Sequence, residues 1–260
     1  MATRTIPDAV VAGIIERLRD AEPGLEAVLL CGSFARNSGS EFSDVDIVAL
    51  IDGEPERSGR TWFEVTALGE QFHVTVGVES LDSYEADEPE AAAWALGFPT
   101  TDAMRVLWAT PSARAVLGDD PSEVTPAAEP ELEDFVELYM KVLRGSREGD
   151  TVLLRWAART LAEHSAGLVR PFNAPVQVAT APEAIAAACS FGNCPAHHAV
   201  DFSVCWGLVP ASDEAVIAAA SRMQQELLDW LRVQLDGQAF EPDDARALLL
   251  DGSLQAYLAR

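Results

Sequence analysis

The sequence predicts an α+β fold in two parts: a mixed sheet flanked by helices over residues 1–118, then an all-α helical bundle over 130–260. Three observations carry this. Apolar runs of strand length and an alternating block fall between residues 25 and 109. Residues 119–130 (DDPSEVTPAAEP) hold three prolines and few large apolar groups, the composition of a linker. Beyond them every periodic segment has helical spacing. A chain of 260 residues is long enough to bury such cores without staples.

Residues 7–20 place Val10, Val11, Ile14, Ile15 and Leu18 on one helical stripe, with Pro7 at the entrance and Asp8 in the first turn. Glu22-Pro23-Gly24 breaks that helix. The apolar run 25–31 reads as a strand, Gly32-Ser33 turns the chain, and 44–50 (DVDIVAL) reads as a second strand. A polar loop or short helix joins the two.

Between 61 and 78 two alternating blocks flank Leu68-Gly69, with Phe63, Val65, Phe72, Val74, Val76 and Val78 apolar and Glu64, His73 and Thr75 polar. This is a hairpin with one wet face. A connection of even length would set Glu64 opposite His73 or Thr75 and gather all three on that face; an odd one would separate them. Residues 104–109 (MRVLWA) read as a further strand and 111–117 as a short helix. After the linker, helices are expected at 131–144, 150–169, 181–189, 213–235 and 242–258, with Trp156 and Trp206 in their core.

Charge narrows the class of ligand. Eighteen basic residues against 42 acidic ones leave a net charge of −24, with no cluster of Lys or Arg, so nucleic acid is excluded as a main partner. A cationic ligand would be drawn in, although the same acidity also serves as a solubility surface. No apolar run reaches the roughly 18 residues of a membrane span, and MATRTIPDAVV lacks the basic and apolar regions of a secretory signal. A cytoplasmic location is expected. There, the four cysteines would not form a disulfide framework. Cys189, Cys194 and Cys205 with His197 and His198 read either as an unusual zinc set or as buried cysteines beside a helical His pair; the spacing matches none of the common zinc frameworks.

The most specific signal is Gly32-Ser33-Phe34-Ala35-Arg36 followed by Ser43-Asp44-Val45-Asp46-Ile47-Val48. Carboxylates at i and i+2 of a strand face one side, and a like-charged pair calls for a cation. Mg²⁺ takes a few carboxylates and completes its shell with water and phosphate oxygens. Gly32 and Ser33 offer backbone N–H groups and a hydroxyl to a phosphate, and Arg36 adds charge-assisted bonds. Together these parts bind a nucleoside triphosphate with its metal.

The pattern G-S-x-A-R followed by S-D-x-D, between apolar strands, resembles the nucleotidyltransferase superfamily that includes DNA polymerase β, and more narrowly the aminoglycoside nucleotidyltransferases of the kanamycin type. The resemblance covers residues 28–110 well and 131–145 moderately. It implies transfer of a nucleoside monophosphate from Mg²⁺-bound ATP or another NTP to a hydroxyl of a small acceptor, cationic where it is an aminoglycoside or related amino sugar. It further implies a homodimer, and a helical domain closing a cleft that holds the nucleotide. Asp44 and Asp46 would bind the metal.

The family's third carboxylate has His73 as its counterpart here, a departure. Either two aspartates suffice, or Glu64 supplies the acid, or His73 acts as ligand or base, or the site binds nucleotide without turnover. By the same resemblance Glu64 and His73 fall where the hairpin contacts the acceptor, Glu137 is the general base, and Lys141 contacts the phosphates. Glu137 and Lys141, at i and i+4, share a helix face, as an ordinary surface pair would too. Asp134 is the fallback base. A catalytically silent nucleotide-binding regulator and an enzyme that nucleotidylates protein hydroxyls are the rival functions.

Overall fold

The computed structural model describes residues 4–41, 43–86, 95–118, 122–125 and 132–235. The helix expected at 242–258 lies outside the described residues. Two compact units divide the chain: described residues up to 86 and 101–125 form the first, and 95–100 with 132–235 the second.

In the first unit, the expected amphipathic helix is α1 (Asp8–Ala21), entered through Pro7 in extended conformation, with Val10, Ile14 and Leu18 buried. The elements β1 (Leu25–Leu30), α2 (Gly32–Ala35), β2 (Val45–Ile51), β3 (Gly59–Val65) and β4 (Gln71–Ser80) follow. Then come α3 (Leu81–Ala86), β5 (Thr100–Asp102), β6 (Arg105–Ala109), α4 (Pro111–Leu117) and β7 (Glu123–Thr125). Strand order in the main sheet is β3-β4-β2-β1-β6, with β2 and β4 parallel and the other neighbours antiparallel. The sheet is therefore mixed, as the sequence predicts.

Alternation along each strand gives the sheet two faces. Val45, Ile47 and Ala49 on β2 and Phe72, Val74, Val76 and Val78 on β4 pack beneath α1. Ile14 and Leu18 are fully buried there, each contributing about 1.5–3 kcal/mol relative to exposure. The opposite face carries Ala27, Leu29 and Leu50 against Ala113 and Leu117 of α4. Thr110 caps α4 by accepting the Ala113 N–H at 3.2 Å, and Pro111 follows at the first helical position. Short β5 and β7 pair with each other; three-residue strands have no periodicity to read, and β7 falls inside the stretch predicted as linker.

The second unit is helical: α5 (Leu132–Glu148), α6 (Thr151–Val169), α7 (Ala181–Cys189), α8 (His198–Trp206) and α9 (Asp213–Leu235). Phe135, Leu161, Phe202, Leu227 and Leu228 are fully buried at its centre, and Ala95, Leu96 and Phe98, which precede the linker, belong to the same core. Gly145 allows the close approach of α5 and α6, since a Cβ there would stand 2.7 Å from the Leu154 nitrogen. Trp156, expected in the core, is instead 52% exposed on α6, with Lys141 Nζ 5.7 Å from its ring centroid. The indole presents its face to a cation and its edge to water.

The cysteine and histidine group does not form a metal centre: among the described residues no three His, Cys, Asp or Glu side chains are placed to hold an ion. None of the four cysteines forms a disulfide among the described residues, and burial pushes the Cys205 thiol up to about 12. His198 is 3% exposed between Phe191 and Phe202, at centroid distances of 5.6 and 6.1 Å, and neither ring nitrogen has a hydrogen-bond partner. Burial lowers its pKa to about 4. Between pH 6.5 and about 4 the unfolded chain therefore holds more protons than the native one, and stability is lost as pH falls through that window. Up to about 3 kcal/mol is at stake, so His198→Phe is expected to flatten the acid limb of helical-unit stability, read as protection of α8 amides. A variant whose acid limb matches the wild type would assign the slope to other groups.

Candidate functional site

The site grows from the end of β1. Cys31 continues the ladder, its N–H donating to the Asp46 carbonyl at 2.8 Å, and the next residue must turn. Gly32 does so with φ +62°, where a side chain is disfavoured. A second demand falls on the same residue: an added Cβ would overlap the Asp46 carboxylate, its Cγ only 3.0 Å away. Gly32 and Asp46 are thus in contact across β1 and β2.

Ser33 and Arg36 flank the turn, both half-buried. The Ser33 carbonyl accepts the Ser38 N–H at 2.9 Å and its hydroxyl at 3.1 Å, which closes the loop, while the Ser33 hydroxyl itself makes no hydrogen bond among the described residues. Arg36 ends α2 with its N–H on the Gly32 carbonyl at 3.3 Å. N–H groups of the first turn have no partner within such a short helix, the arrangement that helix N-termini offer to anions.

Asp44 immediately precedes β2 and Asp46 is its second residue; both are half-buried. The parallel register pairs Asp46 with Thr75, whose hydroxyl donates to Asp46 Oδ1 at 3.0 Å. The position beside Asp46 is therefore taken by Thr75. His73, read from the sequence as the counterpart of a third carboxylate, lies one same-face step nearer the hairpin tip, with Nε2 2.8 Å from Thr61 Oγ1 and its ring 5.1 Å from Phe63. Two hard carboxylates with a side-chain-free approach at Gly32 suit Mg²⁺, which would take the rest of its shell from water and phosphate oxygens.

Glu64 requires a correction. The register sets Glu64 opposite Phe72 and Phe63 opposite His73, because five residues, 66–70, separate β3 from β4. An odd connection puts Glu64 on the α1 face, away from Asp46 and His73. There, Trp62 Nε1 donates to Glu64 Oε1 at 2.7 Å and Arg17 Nε lies 3.4 Å from it, so the carboxylate ties β3 to α1. It is placed neither to complete the metal site nor to meet an acceptor on the Asp46 face.

Along that face of β3 and β4 runs a groove of about 540 Å³ lined by Asp46, Thr61, Thr75, Gly59 and Gly77. Sequence reasoning set Thr75 on the wet face without giving it a role and passed over Thr61 and the two glycines, since threonine is an ordinary strand former. The spacing Thr61 to Phe63 and His73 to Thr75, in phase with an acidic strand, was the available signal. In the second unit Glu137 and Lys141 form an i,i+4 ion pair at 3.1 Å on α5, with the Glu137 side chain 62% exposed. Among the described residues no helix is long and apolar enough to cross a membrane.

Residues 11–90 match the family model of the nucleotidyltransferase domain, and residues 131–228 that of the nucleotidyltransferase substrate binding domain. Among curated proteins none matches the chain. Among solved structures, a nucleotidyltransferase-like protein from Exiguobacterium sibiricum 255-15 aligns at 12% identity over 96% of this chain and 90% of that one, with a TM-score of 0.34.

Proposed function

We propose that this chain, a nucleotidyltransferase by its residues 11–90, moves a nucleoside monophosphate from a Mg²⁺-bound nucleoside triphosphate to a hydroxyl of a small molecule. The observation that carries the reading is the Asp46 carboxylate held against the Gly32-Ser33 turn. In this reading the Gly32 and Ser33 backbone and the Ser33 hydroxyl hold the terminal phosphates, with Arg36 adding charge-assisted bonds. Asp44 and Asp46 hold Mg²⁺, which when bound neutralises phosphate charge and polarises the phosphoryl group. The acceptor oxygen bonds to the α-phosphorus as the bond to the bridging oxygen of pyrophosphate breaks. The hydroxyl proton passes to Glu137, and Lys141 balances phosphate charge, roles supported by the family resemblance of the first helix after the linker.

An amino sugar as acceptor keeps the chain's net charge of −24 as its support and loses Glu64. Thr75 beside Asp46, where a third acid would complete the site, favours one alternative: a silent nucleotide-binding regulator. Pyrophosphate release from ATP and GTP, with Mg²⁺ and a panel of hydroxylated amines, separates them. Release with at least one acceptor is expected; nucleotide affinity without release selects the regulator, and labelled nucleotide on polypeptide selects protein modification.

Glu137→Gln is expected to lower kcat about 10²–10⁴-fold, the usual range for a lost general base, while nucleotide Kd stays within about twofold. Rapid-quench turnover beside nucleotide titration checks the split. A wild-type kcat would move the role to Asp134.

A further inference from the structure

We infer that the aromatic pair Phe63–His73 is a stacking platform for a ring of the acceptor, so that at this end the acceptor is recognised by an uncharged ring face and not through ammonium groups. The inference rests on the nucleotidyl-transfer reading above. Three successive cross-strand pairs occupy the Asp46 face of the hairpin: Gly59–Gly77, Thr61–Thr75 and Phe63–His73. The glycine pair leaves the groove hollow, the threonine pair stands level with Asp46, and the aromatic pair stands outside the groove's lining, as a wall on the same face toward the hairpin tip.

Direction of attack assigns this wall to the acceptor. In-line displacement puts the nucleophile opposite the leaving pyrophosphate. The Gly32-Ser33 turn that would hold the pyrophosphate follows β1, on one side of β2, whereas β4 and β3 lie on the other. An attacking hydroxyl therefore approaches across Thr75 and Thr61, and the body of the acceptor extends over the hairpin. Same-face neighbours along a strand are about 6.6–7 Å apart, roughly the width of one ring.

The chemistry of the wall is aromatic. Phe63 is 61% exposed although it is a large apolar side chain, and its ring lies 5.1 Å from His73 at 30°. The Thr61 hydroxyl, 2.8 Å from His73 Nε2, fixes the imidazole. Gln71 and Val65, the next pair outward, are uncharged, and Glu64 points to the other face. Glu79, also on this side of β4, lies beyond Gly77 at the far end of the groove. Among the strand residues of this face none at the aromatic end carries a carboxylate, whereas a flat or apolar ring face finds a partner there.

The test is calorimetric, on the full chain with Mg²⁺ and α,β-methylene-ATP, using phenyl β-D-glucoside and kanamycin as probes. The glucoside is expected to bind with an affinity insensitive to salt, to shift the Phe63 and His73 ring protons, and to weaken about 5–10-fold in Phe63→Ala, with Phe63→Trp restoring it. Phe63 is exposed on an edge strand, so its truncation leaves the core intact. A glucoside indifferent to Phe63→Ala, or kanamycin bound in preference with steep salt dependence, overturns the inference. So does a Phe63→Ala variant that loses the nucleotide, because the ring stacked there would be the base. Failure of the wild type to bind Mg²⁺ and α,β-methylene-ATP at all is a different result: it removes the nucleotidyl-transfer reading, and the platform with it.

Discussion

Asp46→Asn is expected to lower kcat by about 10³-fold or more while leaving the fold unchanged. Asparagine keeps the volume that fits against Gly32 and keeps an oxygen to accept the Thr75 hydroxyl, so the contacts that seat the side chain survive. What is lost is one negative charge at the position where, in the proposed reading, two carboxylates would balance a dication. The variant should therefore melt with the wild type, bind Mg²⁺-nucleotide more weakly, and release no pyrophosphate above background. Circular dichroism, Mn²⁺ titration and a pyrophosphate assay read the three separately. Wild-type turnover would remove Asp46 from the chemistry and return it to a structural role at the end of β1.

Arg222→Ala carries the largest expected effect on stability, a loss of about 3 kcal/mol in the helical unit. Asp201 is 1% exposed, and Arg222 of α9 meets it twice: Nε donates to Oδ2 at 3.0 Å and Nη2 to Oδ1. Burial raises the Asp201 pKa and the guanidinium works against it. Without the arginine the carboxylate is left buried and unpaired. The half-exposed guanidinium holds the expected loss near the lower end of the range for broken buried pairs. Two features mark this cause: the deficit should shrink as pH falls and Asp201 takes up a proton, and Asp201→Asn in the Arg222→Ala background should recover most of it. Urea midpoints of the helical unit at several pH values measure both. An equal deficit in single and double variants would assign the loss to packing of the arginine stem.

What the sequence made legible was what local pattern controls. The stripe Val10, Ile14, Leu18 is visible because helical spacing and burial coincide, and α1 follows it closely. β1 shows as a short apolar run, β2 as a strand-length segment after it, the hairpin by alternation, and the turn between β1 and β2 by Gly32-Ser33. Register was not legible, because it depends on the parity of residues 66–70, and Glu64 changed faces accordingly. α8 went unmarked because HAVDFSVCW is apolar on more than one side; its stop, Gly207 at φ +87°, was the clearer sign. Trp156 looked like core because bulk is usually buried, and no local pattern reveals that Lys141 lies over its ring.

The five-residue connection between β3 and β4 also makes hairpin length a switch for specificity. Removing or adding one residue within 66–70 would exchange the two sides of β3, bringing Trp62 and Glu64 toward the groove and sending Phe63 beneath α1. A lineage could pass from an aromatic to an acidic pocket by such an indel without altering a single strand residue.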